Sequence, residues 1–246
     1  MSRVVTKHGG QLAALQVTGE ANLAGVPAAA DGAFPRAGEA LVRGVLAAGA
    51  AKRHSGASAA VGFAVAPEID PAAGSFWPLI TDLGGSDFAA SLDYAGIDMY
   101  PDVFGPRLDL DKLDGAVDWL LRSFREQALS LAGIGPSTPI RICENGWPTG
   151  PDRSEKRQAD VLETVLRAVD ARRAELHVTH WELFALRDAD SSQDDLLHRF
   201  GILHDDYSAQ GRVRAAAPDV RGASLGHGEP LRVLPPRTQA ASSREM

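Results

Sequence analysis

Hydrophobic residues along the chain follow two periodicities, one typical of strands and one typical of helices. Short apolar stretches, bounded by Gly- or Pro-rich segments, predict strands. The predicted strands are 12–18, 59–65, 94–100, 139–143 and 177–186. Apolar residues three and four positions apart predict helices between these strands. The predicted helices are 37–53, 76–83, 113–131 and 154–173.

Two of the predicted helices have the clearest amphipathic patterns. In 113–131 the apolar face includes Val117 and Leu121, and Trp119 beside them is expected to join the core. In 154–173 the first residue, Ser154, is of the type that caps a helix N-terminus. Both helices are therefore expected to pack one face against the strands.

Length and charge narrow the class of protein. A chain of 246 residues suits a single domain, which we place at 1–207, and an Arg-, Pro- and Gly-rich tail at 208–246 is expected to be disordered. The formal net charge of −7 argues against nucleic-acid and membrane partners. No apolar run reaches about 18 residues, and the N-terminus lacks a signal-peptide core. We expect a cytoplasmic protein, or a secreted one if an N-terminal segment is missing.

Cysteine and histidine give no support for a disulfide or a metal site. Cys143 is the single cysteine, which excludes an internal disulfide and a cysteine-ligated zinc site. His177 and His180 are three positions apart on a predicted strand, where they would face opposite sides. We therefore expect no metal and no cofactor.

Two of the predicted strands end at a glutamate. The stretch 139–151, PIRICENGWPTGP, carries Glu144 where an apolar strand meets a Gly- and Pro-rich loop. The stretch 12–22, LAALQVTGEAN, delivers Glu20 in the same way. An acidic residue at the end of a buried strand indicates a chemical role. The alternative is that Glu144 is a loop residue that caps the next helix.

These stretches resemble clan A glycoside hydrolases, which are (β/α)8 barrels. ENGWPTG is similar to the end of strand 7 in that family, which implies that Glu144 is the nucleophile. Glu20 matches the general acid/base at the end of strand 4. The two are 124 positions apart, or three to four strand–helix units of roughly 40 residues each. The family has Asn before this acid, where it reaches the sugar 2-hydroxyl, whereas this chain has Gly19.

Further stretches extend the resemblance over residues 12 to about 208. YAGIDMYPDVF at 94–104 resembles strand 6, and LRDADS at 186–191 resembles the loop after strand 8. FGILHDDY at 200–207 also matches the family. The match begins at strand 4. The resemblance therefore implies an α/β fold, an incomplete (β/α)8 TIM barrel of about five strand–helix units, and a truncated chain.

The resemblance also implies which side chains contact the sugar. Tyr100 would hydrogen-bond the nucleophile and hold it ionised, or alternatively pack under a loop. The other expected substrate-binding residues are Trp147, Trp181 and Asn22, with Phe184 as an alternative to Trp181.

The implied reaction is retaining cleavage of an O-glycosidic bond in a polysaccharide or oligosaccharide. Retaining enzymes hold their two carboxyl groups about 5–5.5 Å apart. Glu144 would attack the sugar, and Glu20 would act first as acid and then as base. Two alternatives stay open: a carbohydrate-binding protein without activity, indicated by Gly19, and a non-functional fragment whose open strand edges would allow self-association.

Overall fold

Five parallel strands, adjacent in the order in which they occur along the chain, form the central sheet. The structure is a computed structural model that describes residues 1–210, so the predicted tail past Gln210 lies outside the described residues. The strands are β1 Ala14–Gln16, β2 Ala60–Val65, β3 Tyr94–Asp98, β4 Ile140–Asn145 and β5 Val178–Leu183. Within this part of the chain, β1 and β5 are the edges of the sheet.

One helix precedes β1, and helices connect each strand to the next. They are α1 Ser2–His8, α2 Ala37–Ser55, α3 Phe76–Ala90, α4 Leu110–Arg122, α5 Leu129–Leu131 and α6 Glu155–Arg172. A π-helical turn at Ser123–Ala128 joins α4 to α5. Helical crossovers of this kind are what parallel neighbouring strands require. None of the helices in residues 1–210 is long and apolar enough to cross a membrane.

One face of the sheet packs against the helices and forms the main core. Strand residues such as Phe63, Ile97 and Ile142 are fully buried there against helix residues such as Leu121 and Val165. Because successive side chains of a strand point to opposite faces, this packing accounts for the alternating apolar residues in the sequence. The remaining strand side chains lie on the other face.

That other face carries small residues and one large ring. Gly62 lies so close under Tyr94 that a Cβ atom at position 62 would come 2.5 Å from the ring. The Arg141 guanidinium stacks 4.1 Å from the centroid of the same ring, and Cys143 is buried beside it. This face corresponds to the inner wall of a barrel, where side chains fill the interior.

The predicted incomplete α/β barrel is confirmed, with local differences. β1 is shorter than expected, at Ala14–Gln16, although backbone hydrogen bonds to β2 also involve Ala13, Val17 and Thr18. α3 continues to Ala90 through a kink at Gly85, whose φ of 50° is readily adopted by glycine. The sequence pattern had indicated the end of this helix near residue 83.

Two other features differ from the sequence-based expectation. The prediction that Trp119 joins the core is wrong, since its side chain is 45% exposed. α4 instead buries Leu113, Val117 and Leu121, which recur every four residues on one face. α1 was not predicted, and it packs Val5 against α2.

Candidate active site

Glu20 lies in the turn that follows β1, four residues past the end of that strand. The Gly19 N–H donates to Oδ2 of Asp31 at 2.9 Å, and the Glu20 carbonyl accepts from the N–H groups of Leu23 and Gly32. Its φ of 48° lies in the left-handed region, which these hydrogen bonds hold in place. The Glu20 side chain is half-buried and interacts electrostatically with Glu144.

Glu144 is the second-last residue of β4 and pairs in register with Asp98 of β3. A register shift precedes this pair, and bulges of this kind re-aim the side chains that follow them. The Glu144 carbonyl accepts from the Met99 N–H at 2.8 Å, and Oε2 accepts from the Tyr100 hydroxyl at 2.7 Å. The carboxyl ends of β3 and β4 thus hold a tyrosine and a carboxylate in direct contact.

The surroundings of the two glutamates set their pKa values differently. Burial raises the pKa of Glu144, and the hydrogen bond from Tyr100 lowers it. Burial also raises the pKa of Glu20, and the charge of Glu144 raises it further. The net pKa shift is upward for both carboxyl groups. Repulsion between them favours a single negative charge on the pair, and the hydrogen bond from Tyr100 favours that charge on Glu144. Two carboxyl groups with divided roles are the usual basis of acid–base chemistry.

Tyr100 is also the centre of a cluster of aromatic rings. Its ring centroid lies 5.4 Å from that of Phe104, 6.1 Å from that of Phe184 and 5.6 Å from that of Phe200, all nearly edge to face. Phe104 is 64% exposed and Phe184 is 40% exposed, whereas Phe200 is buried. Two exposed rings therefore flank the tyrosine that contacts Glu144, and their apolar faces are open to a ligand.

Asn22 is engaged by the protein backbone. Its Nδ2 donates to the Ala66 carbonyl at 2.9 Å, and its Oδ1 accepts from the Ala66 N–H at 2.9 Å. These two hydrogen bonds tie the turn that carries Glu20 to the end of β2. The geometry therefore gives Asn22 a positioning function and does not support the predicted sugar contact.

Trp147 lies inside the fold, three residues after Glu144 in the loop that follows β4. It is 1% exposed, and its indole N–H donates to Oδ2 of Asp102 at 3.2 Å. The Arg153 guanidinium covers the ring at 4.9 Å. A sugar has no access to this ring in the structure, so the predicted contact at Trp147 has no geometric support.

Trp181 pairs in register with Ile142, a residue of the main core. Its indole packs against that core, and its N–H donates to Oδ1 of Asn145 at 3.2 Å. Paired residues of neighbouring strands project to the same face, so Trp181 lies on the helix-covered side. Phe184, the alternative, is the one that contacts Tyr100.

Phe104 and Phe200 were given no role from the sequence, and Asp98 was expected only to line the barrel. Phe104 and Phe200 stand within the family-like stretches, so that signal was present, but the ring contacts were not visible in it. The only sequence signal at Asp98 was its alternation with Tyr100 along the predicted strand. Its burial beside Glu144 depends on the register of β3 and β4, which the sequence does not show. Residues 1–210 contain no group of three or more His, Cys, Asp or Glu side chains suited to a metal ion.

Comparisons with known proteins find similarity in fold but not in sequence. Neither a protein-family model nor a curated protein sequence matches the chain. Among solved structures, the β-glucosidase from Thermotoga maritima in complex with galacto-hydroximolactam gives a TM-score of 0.55 at 16% identity, over 85% of this chain and 62% of that one. The β-D-glucuronidase of Dictyoglomus thermophilum gives 0.52 at 13% identity, over 78% of this chain and 30% of that one.

A β-glucuronidase from an uncultured Clostridium gives a TM-score of 0.52 at 15% identity, over 75% of this chain and 30% of that one. The chain thus spans between 30% and 62% of the length of these three structures. Identities this low show the fold alone. All three are glycosidases by name, and this chain has five parallel strands that alternate with helices. The chain therefore shares the fold of a partial (β/α)8 barrel with these three structures.

Proposed function

We propose that this chain is a retaining glycoside hydrolase domain, with Glu144 as the nucleophile and Glu20 as the general acid/base. The observation that carries the proposal is the 2.7 Å hydrogen bond from Tyr100 to Glu144, with Glu20 in electrostatic contact with Glu144. This arrangement supports an oriented, ionised carboxylate beside a carboxyl group that keeps its proton. Glycoside cleavage with retention needs that pair.

The reaction would proceed in two displacements. In the first, a carboxylate oxygen of Glu144 attacks the anomeric carbon while Glu20 gives its proton to the departing oxygen, so that a glycosyl ester forms as the glycosidic bond breaks. In the second, Glu20 takes a proton from water, whose oxygen attacks the anomeric carbon and releases Glu144. The Tyr100 hydroxyl donates to Glu144 between turnovers and fixes its orientation.

A carbohydrate is the partner that this site fits. The exposed rings of Phe104 and Phe184 lie beside Tyr100 and supply apolar faces on which the C–H face of a sugar can pack. The sugar contacts proposed here are these two rings together with Tyr100. Asn22, Trp147 and Trp181 act behind the site by holding its backbone and core.

A second candidate function is carbohydrate binding without turnover. Gly19 stands directly before Glu20 and offers no side chain to a sugar hydroxyl, and the nearby Asn22 amide is engaged by Ala66. A site that lacks one transition-state hydrogen bond binds sugars while it turns them over slowly.

The test uses a panel of 2-deoxy-2-fluoro glycosides with good leaving groups, which trap the ester on a retaining nucleophile. We expect the mass of the wild-type chain to rise by one fluoroglycosyl unit, on the peptide that contains Glu144. Glu144→Gln should take up no label. Glu126→Gln, which changes an exposed helix residue, should be labelled like the wild type.

Two outcomes would count against the proposal. Label on Glu144→Gln, or on a peptide without Glu144, would assign another nucleophile. Glycan binding in calorimetry with no label for any sugar of the panel would favour the second candidate.

A further inference from the structure

Asp98, the last residue of β3, is a buried carboxyl group without a partner. It is 1% exposed, and neither carboxyl oxygen has a hydrogen-bond partner among residues 1–210. Asp102, four residues later and 5% exposed, accepts from the Leu108 N–H, the Trp147 indole and the Arg157 guanidinium. Buried carboxylates are normally paired as Asp102 is, so the isolation of Asp98 needs an explanation.

The position of Asp98 places it with the two glutamates. It pairs in register with Glu144 and lies on the inner face of the sheet, two residues after Gly96. A Cβ atom at Gly96 would come 2.7 Å from the Cys143 sulfur, which shows how tightly this face is filled. Both carboxyl oxygens of Asp98 are buried on this face.

Three acidic groups from other parts of the sheet act on Asp98. Glu20 approaches from the turn after β1, Glu144 from β4 and Glu182 from β5. Burial first, and then the charges of these three groups, raise the pKa of Asp98 to about 9. The hydroxyl of Tyr94, on the same strand, and the thiol of Cys143 also lie on this face, and burial raises the pKa of each.

One cation shares this face of the sheet. The Arg141 guanidinium is stacked on the Tyr94 ring, and it gives Asp98 no hydrogen bond. An ionised Asp98 would thus be a buried charge with no donor, next to three other acids, which is among the costliest arrangements in a protein interior. A neutral carboxylic acid avoids that cost.

The geometry points to Asp98 as a positioning residue that stays a neutral acid beneath the catalytic pair, so that Glu144 alone carries the negative charge of the buried site. The inference rests on the proposed function for its catalytic meaning. A second buried negative charge would draw a proton onto Glu144, and a protonated Glu144 cannot attack the anomeric carbon.

The first experiment needs no activity. The full chain and Asp98→Asn, which mimics the neutral acid, are unfolded by urea at a series of pH values from 4 to 10. A group whose pKa is raised on folding binds an extra proton in the folded state, so its contribution to stability is complete at low pH and is lost as the pH rises through the folded pKa. The unfolding constant of the wild type relative to Asp98→Asn should rise by up to about tenfold per pH unit, from roughly pH 4 to 9.

Asp102→Asn is the matched control. It removes the charge of a buried aspartate that has three donors, so it should destabilise the chain at neutral pH. The unfolding constant of the wild type relative to Asp102→Asn should not rise with pH as it does relative to Asp98→Asn. A ratio for Asp98→Asn that does not change with pH would overturn the inference. If Asp98→Asn does not fold, the infrared carboxylic-acid C=O band of Glu20→Gln decides, because this variant lacks the proton expected on Glu20, and the band of Asp98 should persist at pH 7 and disappear above pH 9.

The second experiment links Asp98 to catalysis through the pH dependence of fluoroglycoside labelling. Because asparagine mimics the neutral acid, the acidic limb of the labelling rate should lie at the same pH in the wild type and in Asp98→Asn. A shift of that limb to lower pH in the variant would overturn the inference, since it would mean that a charge had been removed. If no label forms in either chain, the proposed function fails, whereas the unfolding experiment still decides the state of Asp98.

Discussion

At the scale of single residues, the hydrogen bond from Tyr100 to Glu144 links packing to chemistry. The ring of Tyr100 is held among Phe104, Phe184 and Phe200 while its hydroxyl reaches the carboxylate. Burial and the charge of Glu144 raise the pKa of this hydroxyl, so it keeps its proton and remains a donor. Because a displacement of the ring would disturb three neighbours, the direction of the donor is fixed by packing.

Gly19 is the residue at which a small change should improve the site. A Cβ atom there would meet only the Gln16 amide nitrogen, at 3.7 Å, and Gly19 has no positive φ that would strain a larger residue. Gly19→Asn adds an amide next to Glu20, in reach of a sugar hydroxyl. We expect kcat/KM to increase by about tenfold, the equivalent of one hydrogen bond of about 1.4 kcal/mol in the transition state.

Gly19→Ala is the control for this change, because it adds the Cβ atom without the amide. It should leave kcat/KM within about twofold of the wild type. An equal gain in both variants would attribute the effect to a stiffer backbone rather than to a new contact with the sugar.

Residue positions were predictable from the sequence where they depend on the ends of strands. Glu144 lies within the last two residues of β4 and Tyr100 lies two residues past β3, whereas Glu20 lies four residues past β1, in a turn. Their roles stay predictions. Asn22 and Trp147 could not be assigned in this way. Their partners, Ala66 and Asp102, are 44 and 45 residues away in the chain, and no local pattern records such contacts.

At the scale of elements, Asp102 connects three of them at the edge of the site. It lies after β3, accepts from Trp147 of the loop after β4, and accepts from Arg157 of α6. Its side chain is fully buried in this ion pair, whereas that of Arg157 is 27% exposed. Asp102→Ala should lower the free energy of unfolding by about 3–5 kcal/mol, because the partly buried Arg157 cation and the buried Trp147 indole N–H lose their acceptor.

Urea unfolding measures this change, and Glu163→Ala on α6 is its control. Glu163 pairs with Arg167 on the helix surface, with 52% of its side chain exposed, and exposed pairs contribute about 0–1 kcal/mol. Equal losses in the two variants would show that Asp102 does not hold the three elements together.

Helices and strands were predictable to the extent that their own sequences determine them. Ser154 was predicted as the N-cap of α6, and its side chain accepts from the Arg157 N–H. The exposure of Trp119 was missed, because the sequence shows an apolar residue but not the direction in which α4 turns its packed face. α3 continues across Gly85 because this glycine adopts a positive φ, and a pattern of apolar residues gives no information on backbone angles.

At the scale of the whole molecule, the sheet in residues 1–210 is open at both sides. β1 pairs only with β2 and β5 pairs only with β4, so each presents a row of backbone groups without a strand partner. We predict that the chain self-associates through the edge of β5. Its mass in solution, measured by light scattering, should exceed the 26.0 kDa of one chain and rise with concentration.

Thr179→Lys, in β5, should shift this equilibrium toward the single chain, because a charged edge strand resists pairing. Ala171→Lys, at an exposed position of α6, adds the same charge away from the edge and should leave the equilibrium unchanged. A single chain at every concentration would contradict the prediction.

The exposed rings of the aromatic cluster lie in loops, whereas Glu144 and Asp98 lie in strands. Glu144 and Asp98 stand within strands that pair with neighbours on both sides, whereas Phe104 lies beyond the end of β3 and Phe184 just past the end of β5. Loops accept sequence change more readily than paired strands. In the proposed glycosidase the nucleophile and the choice of sugar are therefore separable traits. Exchange of short peptides around Phe104 and Phe184 should alter specificity while Glu144 and Asp98 keep their places.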